Sequence, residues 1–225
     1  MVMSDTARPR AQSSRRPVLL AALALLALGA RPLADAAPSA FRQLHGPSPA
    51  PLLRVETPLP EACKAAGVTY PPRPGRLEVF KARRLMRLFS GETLVKEYPV
   101  ALGLAPVGDK ERQGDYRTPE GEFYLCTRNG TSRFHRFIGI SYPAVDDARR
   151  GLKERLITRA QRAAIARAAG RRAQPPWDTK LGGAVGIHGG GTGSDWTWGC
   201  VALSNEHVAE LFTALRLGTP VVIYP

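Results

Sequence analysis

A chain of 225 residues has room for one domain and an extension. Its hydrophobic fraction of 44% supplies a packed core and excludes wholesale disorder. The formal net charge of +13 calls for a polyanionic neighbourhood, nucleic acid being the usual one, unless the arginines are a compositional bias.

The N-terminal residues decide which polyanion. Arg8, Arg10, Arg15 and Arg16 precede an apolar run of 11 residues, Val18 to Leu28, and Ala34-Asp35-Ala36 then places small residues at a cleavage site. That is the three-part pattern of a secretory signal over residues 1–36. A helix needs about 20 apolar residues to span a bilayer, so no stable membrane span is expected. The alternative is an uncleaved N-terminal anchor. Ser14 to Leu20 also has some twin-arginine character, so both export routes stay open. No Cys follows the apolar run, which excludes a lipid-modified N-terminus at that point. Export places the protein in the periplasm or cell envelope. There nucleic acid drops out as a partner, and wall polymers and anionic lipid surfaces remain.

Residues 37–75 carry nine Pro and read as an extended lead-in, packed in part through Leu52, Leu53 and Val55. So many Pro argue against regular helix or central strand. From Arg76 the pattern turns to strands: Leu77 and Val79, then Leu85 to Phe89, a turn at Ser90-Gly91-Glu92, and a return over Thr93 to Leu102. Gly103 to Gly114 is a polar loop, and Thr118-Pro119-Glu120-Gly121 suits a type I turn. Glu122 to Thr127 and Phe134 to Ser141 are further strands. Residues 147–170 predict an inserted helix with Leu152, Leu156, Ala160 and Ala163 as its apolar stripe and a basic, solvated opposite face. Ala184 to His188 is a short strand and Gly189 to Trp198 a Gly-rich loop. Ser204 is an N-cap for a helix with Val208, Leu211, Phe212 and Leu215 on its buried face. Gly218 and Pro220 stop that helix, and Val221 to Tyr224 is the last strand. The balance is mostly β with a few helices, an α+β domain over residues 76–225.

Three cysteines, Cys63, Cys126 and Cys200, leave at least one thiol unpaired in an exported chain. Cys63 and Cys126 could be bridged, freeing Cys200. Twelve residues separate His188 from Cys200, enough for a loop to fold the thiol back against the imidazole. A free thiol ionises near about pH 8.5, and a neighbouring imidazole lowers that value and shuttles the proton. Gly199 allows close backbone approach, so the N–H groups of Trp198, Gly199 and Cys200 are candidates to face an oxyanion. Either Asp195 or the Gly189 carbonyl could orient the imidazole. A zinc site of His188, Cys200 and His207 lacks any C-x-x-C or H-x-x-x-H support. His188-Gly189-Gly190-Gly191 would suit an esterase only with a G-x-S-x-G elbow, and Gly139 to Pro143 fails at its last position. No G-K-[ST] follows the glycines, which removes a P-loop.

Three features in order carry a family resemblance: YPVALG at Tyr98 to Gly103, GDYRTPEGEF at Gly114 to Phe123, and IHG at Ile187 to Gly189 followed by Gly199-Cys200. On these, residues 76–225 resemble the YkuD-type L,D-transpeptidase catalytic domain. The resemblance implies a β-sandwich or barrel-like fold with Cys200 as nucleophile and His188 as general base and acid. It also implies that the Gly189 carbonyl orients the imidazole, that no metal or organic cofactor is used, and that the partners are peptidoglycan stem peptides. The acyl acceptor would be a second stem, an amine of a wall-attached protein, or water. The commoner family pattern is S-H-G-C, a hydrophobic residue, then Arg or Asn. Here Thr197, Trp198 and Ala202 replace Ser, His and the last residue, so WGCVALSN is similar to the divergent, murein transpeptidase-like branch. The missing Arg removes a carboxylate clamp. Arg117 or an arginine of the inserted helix is the substitute, with Asp195 and Thr197 as further substrate contacts. An inactive wall-binding module is the reading outside enzymology.

Overall fold

Alternating buried and half-buried side chains in the first hairpin set up a sheet that curls on itself. The structure, a computed structural model, describes residues 52–225, so the signal segment and the first part of the lead-in lie outside the described residues. The strands are β1 (Gly75–Phe80), β2 (Leu85–Ser90), β3 (Thr93–Pro99), β4 (Gly121–Asn129), β5 (Phe137–Ile140), β6 (Gly186–His188), β7 (Val201–Ala202) and β8 (Pro220–Tyr224). Their order is β3-β2-β1-β8-β4-β5-β6-β7. The last strand lies mid-sheet, parallel to β1 and antiparallel to β4. β6 and β7 are also parallel, with His188 opposite Ala202. This is the mostly β, α+β architecture expected.

The two ends of the sheet meet. Just beyond β3, Ala101 donates to Ala202 O at 3.0 Å and accepts from Ala202 N–H at 2.8 Å. Gly103 and Thr197 form a parallel bridge, in which the Thr197 N–H donates to Leu102 O at 3.0 Å and the Leu104 N–H to Thr197 O at 2.9 Å. The sheet is thereby drawn into a half-barrel around a core that includes Leu77, Val79, Met86, Leu88, Leu125, Ile138 and Ile187.

Among the described residues there are four α-helices: α1 (Leu59–Ala65) and α4 (Asn205–Ala214) pack on the sheet, and α2 (Val145–Lys153) and α3 (Arg159–Gly170) pack on each other. α4 follows its sequence signals. Ser204 Oγ accepts from the His207 N–H at 3.2 Å, and Val208, Leu211 and Ala214 are buried.

Two expectations need correction. The Pro-rich lead-in contains a helix, α1, because its prolines fall where a helix tolerates them: Pro58 is the N-cap and Pro60 sits in the first turn. Leu59, Ala62 and Cys63 of α1 are part of the core. The inserted segment is two helices, not one. Arg155 takes a positive φ of 59°, and Thr158 with Gln161 then forms a capping box that starts α3. Ala148, Ile157, Ile165 and Leu181 make a small core of their own there, while Ala160 and Ala163 are exposed. Cys63 and Cys126 are buried and free, with no bridge between them. Burial pushes the Cys126 thiol up to about 12.

Glu210 of α4 ties α1 to β3. It accepts from the Leu59 N–H at 3.1 Å and from the buried Lys96 ammonium at 2.6 Å. The segment before β1 is thus integral to the core. Leu59→Ala, at a fully buried site, is expected to lower unfolding stability by about 2–4 kcal/mol. Urea unfolding of the protein measures this, and a change under about 0.5 kcal/mol would mean α1 is an appendage.

Candidate active site

His188 ends β6 and Cys200 precedes β7. With Ile187 opposite Val201 and His188 opposite Ala202, strand alternation puts Cys200 on the same face as His188. Both line a cavity of about 440 Å3, together with Arg133, Phe134, Phe137, Trp196 and Trp198 among others. The imidazole is 2% exposed and boxed by aromatic rings. Phe134 stacks on it at 4.6 Å and Trp196 meets it edge-on at 5.4 Å. Its Nδ1 lies 2.6 Å from the Gly189 carbonyl oxygen. A carbonyl only accepts, so Nδ1 carries the proton, and Nε2 keeps a lone pair free to act as a base. Gly189 is itself tightly held: a Cβ there would lie 2.4 Å from Asn205 Oδ1 and 2.8 Å from Phe134 O.

Burial disfavours the charged form of both side chains. Burial lowers the His188 value and outweighs the Gly189 contact, which raises it. Burial likewise pushes the Cys200 thiol up to about 11, against the Gly186 N–H and the Lys110 ammonium, which pull it down. This departs from the expectation that the imidazole lowers the thiol. An imidazole held neutral offers no positive charge to do so. The thiol donates weakly to Ala184 O at 3.7 Å, so the resting pair is thiol and neutral imidazole. Such a pair supports proton transfer from sulfur to Nε2 at the moment of attack.

The other expected residues divide. Thr197 is 3% exposed and braces the loop: its hydroxyl donates to Cys200 O at 2.7 Å and accepts from the Gly199 N–H at 3.1 Å. That engages the Gly199 N–H, leaving those of Trp198 and Cys200 without an acceptor among the described residues. Asp195 does not reach the imidazole. Arg84 grips its carboxylate through Nε (3.1 and 3.0 Å) and Nη2 (2.5 Å), and the Leu102 N–H donates to it at 2.9 Å. Burial would raise that carboxyl, but these donors more than offset it and hold it low. Arg117 points away from the cavity, to Asp109 O at 3.3 Å and Glu111 at 3.5 Å. The cation at the cavity is Arg133, poised over the Phe134 ring at 4.7 Å. The arginines of α2 and α3 are not among its lining residues. The zinc alternative loses a ligand, since His207 Nε2 bonds Val55 O at 3.1 Å.

Sequence reasoning missed Phe134, Trp196, Arg133 and Lys110. Trp196 lay within the Gly-rich motif and was detectable. Phe134 and Arg133 precede β5 in a loop with no periodicity, and Lys110 carries no signal at all.

Known proteins share this combination of motifs. Residues 74–223 match the family model described as the YkuD L,D-transpeptidase catalytic domain. The chain is similar to YafK of Escherichia coli (strain K12), at 28% identity over 166 residues, 68% of this chain and 54% of YafK. It therefore spans about half the length of that relative. Among solved structures it resembles the helical cell shape determining protein Pgp2 from Campylobacter jejuni. Identity there is 20%, coverage 66% of this chain and 46% of that one, and the TM-score 0.48. It also resembles the L,D-transpeptidase from Xylanimonas cellulosilytica, at 16% identity, 73% and 68% coverage and a TM-score of 0.41. The family match covers well over half of the sequence, and the chain belongs to the YkuD L,D-transpeptidase catalytic domain family.

Proposed function

We propose that the protein is an exported peptidoglycan L,D-transpeptidase of the periplasm or cell envelope, with Cys200 as nucleophile and His188 as general base and acid. The observation that carries this reading is the 2.6 Å contact from His188 Nδ1 to Gly189 O, which frees Nε2 in the cavity shared with Cys200. The thiol proton passes to Nε2 as sulfur attacks the carbonyl joining the L-centre of a diamino acid to the terminal D-Ala. The N–H groups of Trp198 and Cys200 are the available donors for the resulting oxyanion. Collapse breaks the C–N bond, Nε2–H protonates the leaving amine, and a thioester remains. An acceptor amine then attacks the thioester, gives its proton to Nε2, and forms a new amide. The thiolate takes that proton back. The acceptor is a second stem or an amine of a wall-attached protein.

Arg133 supports a donor bearing a free carboxylate. Among the described residues it is the permanent cation lining the cavity, and no Asp or Glu lines it. A guanidinium there suits the carboxylate of the terminal D-Ala.

One observation favours a second reading, a hydrolase or an amidase that releases wall-linked protein. Ala202, where a commoner member carries Arg or Asn, is fully buried opposite His188 and offers an incoming acceptor nothing to bind. Water then resolves the thioester.

Incubation with a disaccharide tetrapeptide and weighing of the products separates these outcomes. Crosslinked dimers are expected; tripeptide alone would establish the hydrolase. Cys200→Ala is expected to abolish both products with the unfolding transition retained, and product formation by that variant would sink the nucleophile assignment. Because burial disfavours the imidazolium, His188 stays mostly neutral down to below its ordinary value of about 6.5. The acid limb of kcat/KM is accordingly expected below pH 6.5, and a limb above it would contradict the buried neutral base. Arg133→Ala is expected to raise KM for the tetrapeptide about tenfold or more, with a smaller effect on an amidated stem. Equal effects on both stems would remove Arg133 from carboxylate recognition.

A further inference from the structure

Lys110 is a buried cation beside the nucleophile that no motif explains. Its side chain is 3% exposed. Two of its three N–H donors are engaged, by Asp115 Oδ1 at 2.6 Å and Arg112 O at 3.1 Å. Asp115 in turn accepts from the N–H groups of Glu111, Arg112 and Arg117 at 2.7 to 3.1 Å. Burial alone would raise the Asp115 carboxyl, but Lys110 and these N–H groups outweigh it and keep it ionised. The pair is thus a built feature of the 103–118 loop.

That loop lies directly against the nucleophile. Gly199 has a φ of +128°, and a Cβ there would fall 2.7 Å from Arg117 O and 3.7 Å from Lys110 Nζ. Only glycine admits so close an approach. A buried ion pair rarely stabilises a fold more than apolar side chains of the same size would. Bracing the loop accounts for the contacts of Lys110 with Arg112 and Asp115, but not for its placement next to Gly199-Cys200.

We propose that Lys110 is a positioning residue for Cys200: its third N–H and its charge, held in place by Asp115, steady the negative charge that forms on sulfur and then on the tetrahedral oxyanion. This rests on the reading of Cys200 as nucleophile. The charged and titratable groups around Cys200 are few. Lys110 and Asp115 come from the 103–118 loop, His188 from β6 and Arg133 from the loop before β5. The Tyr142 ring lies 5.8 Å from Lys110 Nζ, and burial keeps its hydroxyl protonated. Arg150 hydrogen-bonds the Lys110 carbonyl at 3.1 Å and anchors the loop from α2. Lys110 Nζ lies against Gly199, the residue before Cys200, and its charge favours the thiolate.

The test is the rate at which iodoacetamide alkylates Cys200 between about pH 8 and 9, followed by the mass of the Cys200 peptide. In this range the rate tracks the thiolate fraction, which changes about tenfold when the ionisation point of the thiol moves by about one pH unit. Lys110→Met is expected to slow alkylation about tenfold or more, and Lys110→Arg to restore most of the rate. Asp115→Asn, which keeps the side-chain shape, is expected to speed it, since the ammonium then acts unopposed. A folded Lys110→Met protein with an unchanged rate overturns the proposal. If that variant does not fold, Asp115→Asn decides, and an unchanged or slower rate overturns it. Wild-type activity on the disaccharide tetrapeptide is measured alongside. A Lys110-dependent thiol in a protein that leaves the stem untouched retires the peptidoglycan reading alone. An active enzyme whose alkylation ignores both substitutions retires the Lys110 role alone.

Discussion

The site depends on one short piece of ladder, the pair of hydrogen bonds between Ala101 and Ala202 that closes the sheet. Both residues are alanine and both are buried, so the strands meet with almost no side-chain volume between them. The loop that carries Cys200 is tied to the chain beside that junction. Leu102 O accepts from the N–H groups of Trp196 and Thr197, and Leu104 donates back to Thr197 O at 2.9 Å. Asp195, gripped by Arg84 at the start of β2, receives the Leu102 N–H. The loop that carries Cys200 is therefore a continuation of the sheet edge, with its conformation set from β2 and β3. That rigidity is what a thiol needs to meet an imidazole fixed on a separate strand.

Buried lysines transmit this order outward. Lys81 bonds Gly108 O, Thr118 O and Glu120; Lys96 bonds Thr57 O and Glu210; Lys110 bonds Arg112 O and Asp115. Each is no more than 3% exposed, and each ammonium joins a carboxylate to the carbonyls of a segment with no regular structure. A lysine is seldom so buried unless paired, and its three donors let one side chain satisfy several backbone oxygens at once. The irregular segments 52–58 and 103–120 are held by this means, where a hydrophobic contact could not saturate the carbonyls.

The legible and illegible parts of the chain divide along the same line. The strands from Gly75 to Pro99, the capped helix after Ser204 and the His188–Cys200 constellation were readable, because each depends on local periodicity, a cap or a motif. Helix α1 was hidden by its own prolines: Pro58 and Pro60 read as breakers, yet both sit at the one end of a helix that tolerates them. The break between α2 and α3 was missed although Thr158 and Gln161 announced it, since an Ala- and Arg-rich run keeps a helical period through the interruption. Asp195 stands beside the motif in sequence as one of two candidates to orient the imidazole, whereas its partner Arg84 lies 111 residues away. Arg133 and Phe134 reach the cavity from the loop before β5, and Lys110 lies against Gly199 from the 103–118 loop, placements that no local pattern encodes.

The closure also explains why the cation at this cavity sits where it does. Position 202 is opposite His188 on one side and bonded to Ala101 on the other, and it is fully buried. The alanine there is enclosed where the sheet closes, and the cation of the cavity comes from the loop before β5, where Arg133 lies over the Phe134 ring that itself stacks on His188. Arg133 and His188 thus share one aromatic neighbour: the guanidinium lies 4.7 Å from the centre of the Phe134 ring, and the imidazole stacks on that ring at 4.6 Å.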